Sequence, residues 1–523
     1  MLRKTISLVL VVLFVVTFFA GCTSKETGKD SLKQATTNSS DQKTAEKEVK
    51  TIPKVYYISN SGKLAATQTS NSTKEALEAL KAYIIEKTGI EPIPIIPPKG
   101  SEAEKLNLML SSNEDLDLFG GNWLNYYAKG AIQPINQYLD KYGTGIKQMY
   151  QKTKMEDLWK IMTDNDGNIW GFPSGADLTM YPIWIREDWL EKLNLNMPKN
   201  LDELEAIFKA FKEQDPSGTG ETIPLVCDLG GLKMCLSAGF IDGEYGCGNW
   251  MDSDGKIKPI EVNSGFKDFV ARMADWYKKG YIFKEAFASN RDRYIELLKQ
   301  NKIGTTAYWA SLISINSPFL KDNVPDSRYI VVKGITGPKG KIETPTAAGP
   351  SGMLLTKKTK NPDATVKLLN WACEDIENYL YLYGGMKDVN WKYVDKNDNL
   401  VEALNTNYIG EYLYFSAFAH TVQYMFNDPK SKFEFEYLRN NATAYDRVKK
   451  AFDHGVRYDT AILDQKVPNR GDIERMRSEE IIKFITGARP MSEYDKFIEE
   501  MKKAGLDKWI DAYTELYKIE TGK

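Results

Sequence analysis

Two sets of side chains stand out for the chemistry their types and spacing allow, and both are suited to holding a ligand. Aromatic residues reach 12% of the chain, with 11 Trp and 29 Tyr. Some stand beside planar polar groups: Asn122 precedes Trp123 directly after Gly120 and Gly121. An aromatic face stacks on the C–H face of a flat ring, and a carboxylate or amide exchanges paired hydrogen bonds with the ring's hydroxyls. Asn122 and Trp123 therefore form a candidate platform for a polyhydroxylated ring, against the simpler reading of rim packing. The second set is Asp215, Ser217, Thr219 and Glu221, which alternate in a Gly-rich loop. That spacing brings oxygen ligands around Ca²⁺. Ser and Thr are neutral, and Thr222 and Ile223 offer no late carboxylate, so a plain Asp-capped turn competes. Asp164, Asp166 and Asn168 also alternate, but Asp166–Gly167 marks a hairpin turn.

Other chemistry has few candidates. Histidine occurs only as His420 and His454, and there is neither a Gly-x-Ser-x-Gly elbow nor a His-Glu-x-x-His helix. Lys and Arg number 69 against 71 Asp and Glu, a balance that leaves no field for phosphate backbones. A nucleic-acid partner is thereby disfavoured. Cys227, Cys235, Cys247 and Cys373 show no zinc-site spacing. In an exported protein a disulfide among them is permitted, with the pairing open.

The elements that must position these residues read as α/β. Lys54–Ser59 is β-branched and aromatic, and Thr73 opens a helical pattern with Ala76, Leu77, Leu80, Tyr83 and Ile84 on one face. An extended PIPIIP segment, a helix near 102–111 and the run Leu116–Phe119 follow. Strands alternating with helices describe a parallel sheet with crossover helices, and ligands collect beyond the carboxyl ends of such strands. Gly120, Gly121, Asn122 and Trp123 sit at one such end. At 523 residues, the chain is too long for one compact domain.

At the start, Arg3 and Lys4 precede an apolar run from Leu8 to Val16 that continues through Phe18, Phe19 and Ala20 to Gly21 and Cys22. This reads as a secretory signal over residues 1–21. Its end resembles a bacterial lipobox, with Phe19 where Leu is usual, which implies that Cys22 is lipidated. Residues 22–50 are Ser, Thr, Lys, Glu, Asp and Gln with little to bury, the composition of a disordered tether. The expected location is the extracellular face of the cell membrane. No later segment is apolar and long enough to span a bilayer.

One stretch carries a more specific resemblance. Gly171, Phe172 and Pro173 close a hairpin; then come the aromatic run to Arg186, Asp188, Trp189 and Leu190, Pro198 before a helix, and a loop beginning at Asp215. This order resembles family 1 extracellular solute-binding lipoproteins, the carbohydrate-binding components of ABC importers. Gly384, Gly385 and Met386 depart from the family's Gly-x-Glu-Gly pattern. The resemblance implies a two-lobed, type II periplasmic-binding-protein-like fold with a hinge and a helix-rich C-terminal part. It places lobe 1 at about 51–177 and 348–390, and lobe 2 at about 178–347 and 391–523.

By the same resemblance, the protein closes over a carbohydrate, an oligosaccharide by expectation, and hands it to permease subunits, acting as a monomer and not as an enzyme. Tyr308 and Trp309 then follow a strand of the second lobe, and Asp177 lies where the lobes meet. Asp388 and Trp391 complete the candidate ligand-binding set. Trp184, Trp189 and Arg186 belong to the structural signature, where core packing and an ion pair are expected. A secreted glycan-degrading enzyme, which needs two carboxylates at a controlled separation, and a surface sensor are the alternative readings. No cofactor beyond the possible calcium is implied.

Overall fold

Burial alternates along Lys54–Ile58, with Val55 and Tyr57 turned into the core, so this strand forms where the sequence places it. The computed structural model describes residues 52–59, 72–98, 101–174, 181–246, 248–342, 349–427, 451–453 and 456–522. Residues 1–51, with the expected signal, Cys22 and the tether, lie outside them, as do Asp177, Cys247 and His454. Among the described residues no helix is long and apolar enough to cross a membrane.

The helix Lys74–Thr88 is opened by Thr73, whose hydroxyl accepts from Ala76 N at 3.2 Å, and closed by Gly89 at φ 68°. It returns the chain to Glu91–Ile95, parallel to Lys54–Ile58. Helix Glu102–Ser111 then leads to Leu118–Asn122 on the other side of Lys54–Ile58. The sheet order is Glu91–Ile95, Lys54–Ile58, Leu118–Asn122, Ser351–Leu355, Phe172–Pro173, with Ser351–Leu355 antiparallel to both neighbours.

A second sheet runs Tyr329–Val332, Ile183–Arg186, Ile303–Ala307, Ile223–Cys227, and here Ile183–Arg186 is antiparallel to its neighbours. Helix Leu201–Gln214 covers it. Asn200 caps that helix by accepting from Glu203 N, while the Glu203 carboxylate reaches back to Lys199 N, a variant of the capping box. Leu204, Ile207, Phe208 and Phe211, spaced three and four apart, form its buried stripe. The signature residues are structural: Trp184 and Trp189 are core, and Arg186 is fully buried, forked onto Asp188 at 2.8 and 2.6 Å and bonded to Asn301 at 2.6 Å.

Each sheet organises its own apolar core. The division corrects one boundary. Residues from Trp391 through Tyr424, assigned by sequence to the second lobe, pack in the first core through Trp391, Val401, Tyr408, Tyr412 and Tyr414. The strand Trp391–Asp395 pairs locally with Leu400–Ala403, and a local hairpin carries no mark of which core receives it. The chain rejoins the second core with Phe452, Val456 and Leu463.

The chain crosses from the first sheet to the second between Pro173 and Ile183, and returns between Val332 and Ser351. The registers Ser351↔Asn122 and Gly352↔Pro173 put these residues at one end of the first sheet. Ala307↔Ile183, Val332↔Ile183 and Ala307↔Cys227 do the same in the second. These two crossings join those ends, so Asn122 and Ser351 of the first sheet and the residues after Cys227 and Ala307 of the second stand at the sheet ends that the crossings connect.

Candidate functional site

On the second side, the register Ala307↔Cys227 sets Tyr308 beside Asp228 as the two parallel strands end. Asp228 opens the helix Leu229–Leu236 by accepting from Gly231 N at 2.5 Å. A side chain at position 231 would bring its Cβ to 2.0 Å from the Ala307 carbonyl oxygen, so only glycine lets the helix start this close to the neighbouring strand. The Tyr308 ring packs edge-on against Tyr294 at 5.3 Å, and Tyr294 donates to the Cys227 and Ala286 carbonyls. Burial, and after it the Asp228 charge, pushes the Tyr308 hydroxyl's pKa up, so it stays a neutral donor.

Trp309 follows and remains 37% exposed, with Tyr181 meeting its ring perpendicularly at 5.5 Å. Arg291 lies near enough to oppose the upward shift of Tyr308, its guanidinium held by the Ser311 hydroxyl at 3.1 Å. One carboxylate, one neutral phenol and an exposed indole therefore follow directly on the ends of two adjacent strands. That set can stack a flat ring and accept from its hydroxyls. Asp228 and Tyr181 were not singled out from the sequence. The Asp-Leu-Gly-Gly run after the apolar segment Ile223–Cys227 is the signal that marks Asp228 as a strand-end helix cap.

On the first side the expectation for Trp123 needs correction. Asn122 spends its side chain as a helix cap, accepting from Leu124 N at 3.0 Å, and Trp123 becomes the first residue of Trp123–Tyr127. There the indole turns inward: it is 2% exposed, its Nε1 donates to the Ile161 carbonyl, and it offers no face to a ligand. Gly121 allows the close packing, because a Cβ there would meet the Tyr126 ring at 2.7 Å. Trp170 stacks on Trp123 at 6.0 Å, and Tyr127, 45% exposed, lies edge-on to Trp170 at 4.6 Å.

Trp170 is oriented by Asp164, whose carboxylate accepts from the Trp170 indole and from the Asp166 and Asn168 backbone. Burial raises the Asp164 pKa, but these bonds outweigh it and hold the carboxyl below its usual range. The alternating Asp164, Asp166 and Asn168 thus form a turn, with one carboxylate serving as its hub.

Trp391 is likewise a core residue, 1% exposed with its indole bonded to the Gly385 carbonyl at 2.8 Å. Asp388 sits exposed at φ 61° in the tight turn before it, its N–H donating to the Trp391 carbonyl. Both serve a turn held by the small sheet of the first core. Cys227, Cys235 and Cys373 are buried free thiols.

In the loop at Asp215 the candidate oxygen ligands bond to one another and to the backbone. Asp215, at φ 40°, accepts the Ser217 and Thr222 hydroxyls at 2.5 Å and Gly220 N at 2.8 Å, so its carboxylate closes the turn. Those two hydroxyls hold its pKa below the usual carboxylate range. Ser217 and Thr219 bond each other, and Glu221 pairs with Lys302 at 2.6 Å. Lys192 donates to the Pro216 carbonyl at 2.8 Å, which brings an ammonium up to the loop. The twelfth position, where a calcium loop carries a bidentate acid, is the buried Val226. Among the described residues no group of three or more His, Cys, Asp or Glu is placed to hold a metal.

Comparison with known proteins now decides the family. A model described as "Bacterial extracellular solute-binding protein" matches residues 66–375, more than half of the chain. The chain belongs to that family. It is 29% identical over 373 residues to the fructooligosaccharide ABC transporter substrate-binding protein FusA of Streptococcus pneumoniae, an alignment covering 64% of this chain and 66% of FusA, just under two thirds. It is 25% identical over 424 residues to the polygalacturonan/rhamnogalacturonan-binding protein YtcQ of Bacillus subtilis, covering 77% and 79% of the two chains. The fold matches an extracellular solute-binding protein from Bifidobacterium longum subsp. infantis with a TM-score of 0.69 at 19% identity, over 90% of this chain and 98% of that one. The two sheets and their crossings are those of a two-domain, type II periplasmic-binding-protein-like fold.

Proposed function

We propose that this solute-binding protein captures a carbohydrate, an oligosaccharide, in the crevice between its two sheets and delivers it to the permease of an ABC importer. The observation that carries the reading is the set Asp228, Tyr308, Trp309 and Tyr181 at the ends of adjacent strands: a carboxylate acceptor and an exposed indole are the groups a sugar ring requires. The names of FusA and YtcQ, a fructooligosaccharide-binding and a polygalacturonan-binding protein, support the ligand class.

Capture works through closure. A ligand touching both crevice edges binds the closed arrangement better than the open one, and that difference in affinity alone shifts the equilibrium. The sugar leaves chemically unchanged, so the protein is a carrier and not an enzyme. In this reading Cys22 carries a lipid, residues 22–50 tether the body to the outer face of the membrane, and a monomer serves the permease.

A thermal-shift screen against neutral and acidic oligosaccharides and against peptides tests the ligand class, because a ligand bound only by the folded state raises the melting temperature. An oligosaccharide that raises it and is recovered intact supports the reading. Cleavage of the sugar, or stabilisation by peptides alone, contradicts it.

A further inference from the structure

The two bodies also meet away from the crevice-edge cluster, through one buried guanidinium. Arg457 belongs to a strap of the second body. Its neighbour Tyr458 packs on Tyr513 and Phe452 on Tyr517, both on the last helix, Leu506–Thr521. The Arg457 side chain is 10% exposed and forks onto Glu520 of that helix, Nε to Oε2 at 2.6 Å and Nη2 to Oε1 at 2.9 Å. Its two remaining bonds cross to the first body. Nη1 donates to the Thr163 carbonyl and Nη2 to the Asn165 side-chain oxygen.

The residues it grips are those of the Asp164 turn. That turn orients Trp170, Trp170 stacks on Trp123, and Trp123 directly follows Asn122 at the crevice edge. Next along the strap, Asp459 caps the helix Thr460–Lys466, which lies against Trp123–Tyr127, with Thr460 and Asn125 approaching at 3.4 Å. The contact is thus continuous from the last helix of one body to a strand end of the other.

Physically, the fork does what no other side chain can. A guanidinium has five N–H donors in one fixed plane; locked edge-on by Glu520, the plane has a single orientation left for Thr163 and Asn165. A rotation of the first body that tilts or draws these acceptors away from the guanidinium breaks the two bonds.

We propose that Arg457, fixed by Glu520, is the positioning residue that sets the angle between the two bodies and thereby the affinity of the crevice for its ligand. It touches no ligand. It acts by holding the arrangement in which the two crevice edges face each other, so losing it lowers the populated fraction of that arrangement and weakens apparent affinity by the same factor.

The test measures the full chain and its Arg457→Lys, Arg457→Met and Asn165→Ala variants by solution X-ray scattering without ligand, with thermal melting as the control for folding. Lys keeps the charge but lacks the fork, so both Arg457 variants are expected to show a more open scattering profile at near-parental melting temperature. Asn165→Ala, on an exposed turn of the first body, removes one acceptor and gives a smaller opening in the same direction; it stands in where an Arg457 variant fails to fold. With the stabilising oligosaccharide as probe, Arg457→Lys weakens binding about tenfold through faster dissociation. Ligand-free profiles of Arg457→Lys and Asn165→Ala that superimpose on the parent overturn the proposal. Because scattering is read without ligand, that outcome is distinct from a failure of the carbohydrate reading.

Discussion

Trp123 and Trp309 hold equivalent places in the two sheets, each just past the carboxyl end of a central strand and each followed by a helix, yet one is 2% and the other 37% exposed. The difference lies in where the helix starts. Asn122 is both the last strand residue and the cap, so Trp123 enters the first helical turn and swings under the sheet onto Ile161 and Trp170. In the second sheet Tyr308, Trp309 and Ala310 separate the strand from the helix Ser311–Leu320, and the indole stays exposed. A tryptophan at these strand ends therefore keeps an open face where the chain delays its next helix. The first site is interior and should be read in stability; the second is an edge and should be read in binding.

The largest effect expected from this comparison is Trp123→Ala, which removes a buried indole and orphans the Ile161 carbonyl; a loss of about 3–5 kcal/mol in denaturant unfolding is expected. A loss below about 1 kcal/mol, or a selective loss of sugar binding, would break the distinction.

Next comes another interior aromatic. His420 stacks on Tyr379 at 4.1 Å, and burial pushes its pKa down to about 3. Above pH 6.5 it is neutral folded or unfolded and contributes no pH dependence. Below that, the unfolded chain takes up a proton that the folded chain refuses until about pH 3, so stability falls across this window. The cost is about 2 kcal/mol at pH 5. Asp453 in the second body works oppositely: burial raises it to about 6, so its cost appears as pH rises from about 4 to 6. The His420 contribution is therefore the difference between parent and His420→Phe melting profiles, expected to open below pH 6.5. Parallel profiles would show that burial is not what sets this histidine.

At the edge, Trp309→Ala should weaken oligosaccharide binding at least tenfold, about 1.4 kcal/mol, with the melting temperature of the ligand-free protein unchanged. Asp228→Asn sharpens the point, because Asn caps a helix as well as Asp does and the fold should be kept. Replacing a charged acceptor by a neutral one costs about 1 kcal/mol in binding. A fall in melting temperature without loss of affinity would assign Asp228 to the cap alone. The smallest effect is none: calcium or a chelator should leave melting unchanged, since Asp215 and Lys192 already satisfy the 215–222 loop.

The α/β class and the first run of strands and helices were legible because their period, caps and turns are local, as Thr73, Gly89 and Asn200 illustrate. The structural role of Arg186 was legible too, its partner Asp188 being two residues away. What sequence could not supply was which core receives a segment, as with Trp391, and which face of a strand end turns outward, as with Trp123. The facing of a strand end depends on partners far along the chain: Ile161 for Trp123, and for Asp228 the neighbouring strand that ends at Ala307. Arg457 offers the same lesson, since nothing near it in sequence announces Thr163 or Glu520.

The most direct test of the account is a calorimetric titration of the protein and of the Asp228→Asn, Trp309→Ala double variant with neutral oligosaccharides. The account predicts saturable one-to-one binding to the parent, recovery of the sugar intact, and loss of most of that affinity in a double variant that melts like the parent. Undiminished binding to the double variant would place the sugar elsewhere and contradict it.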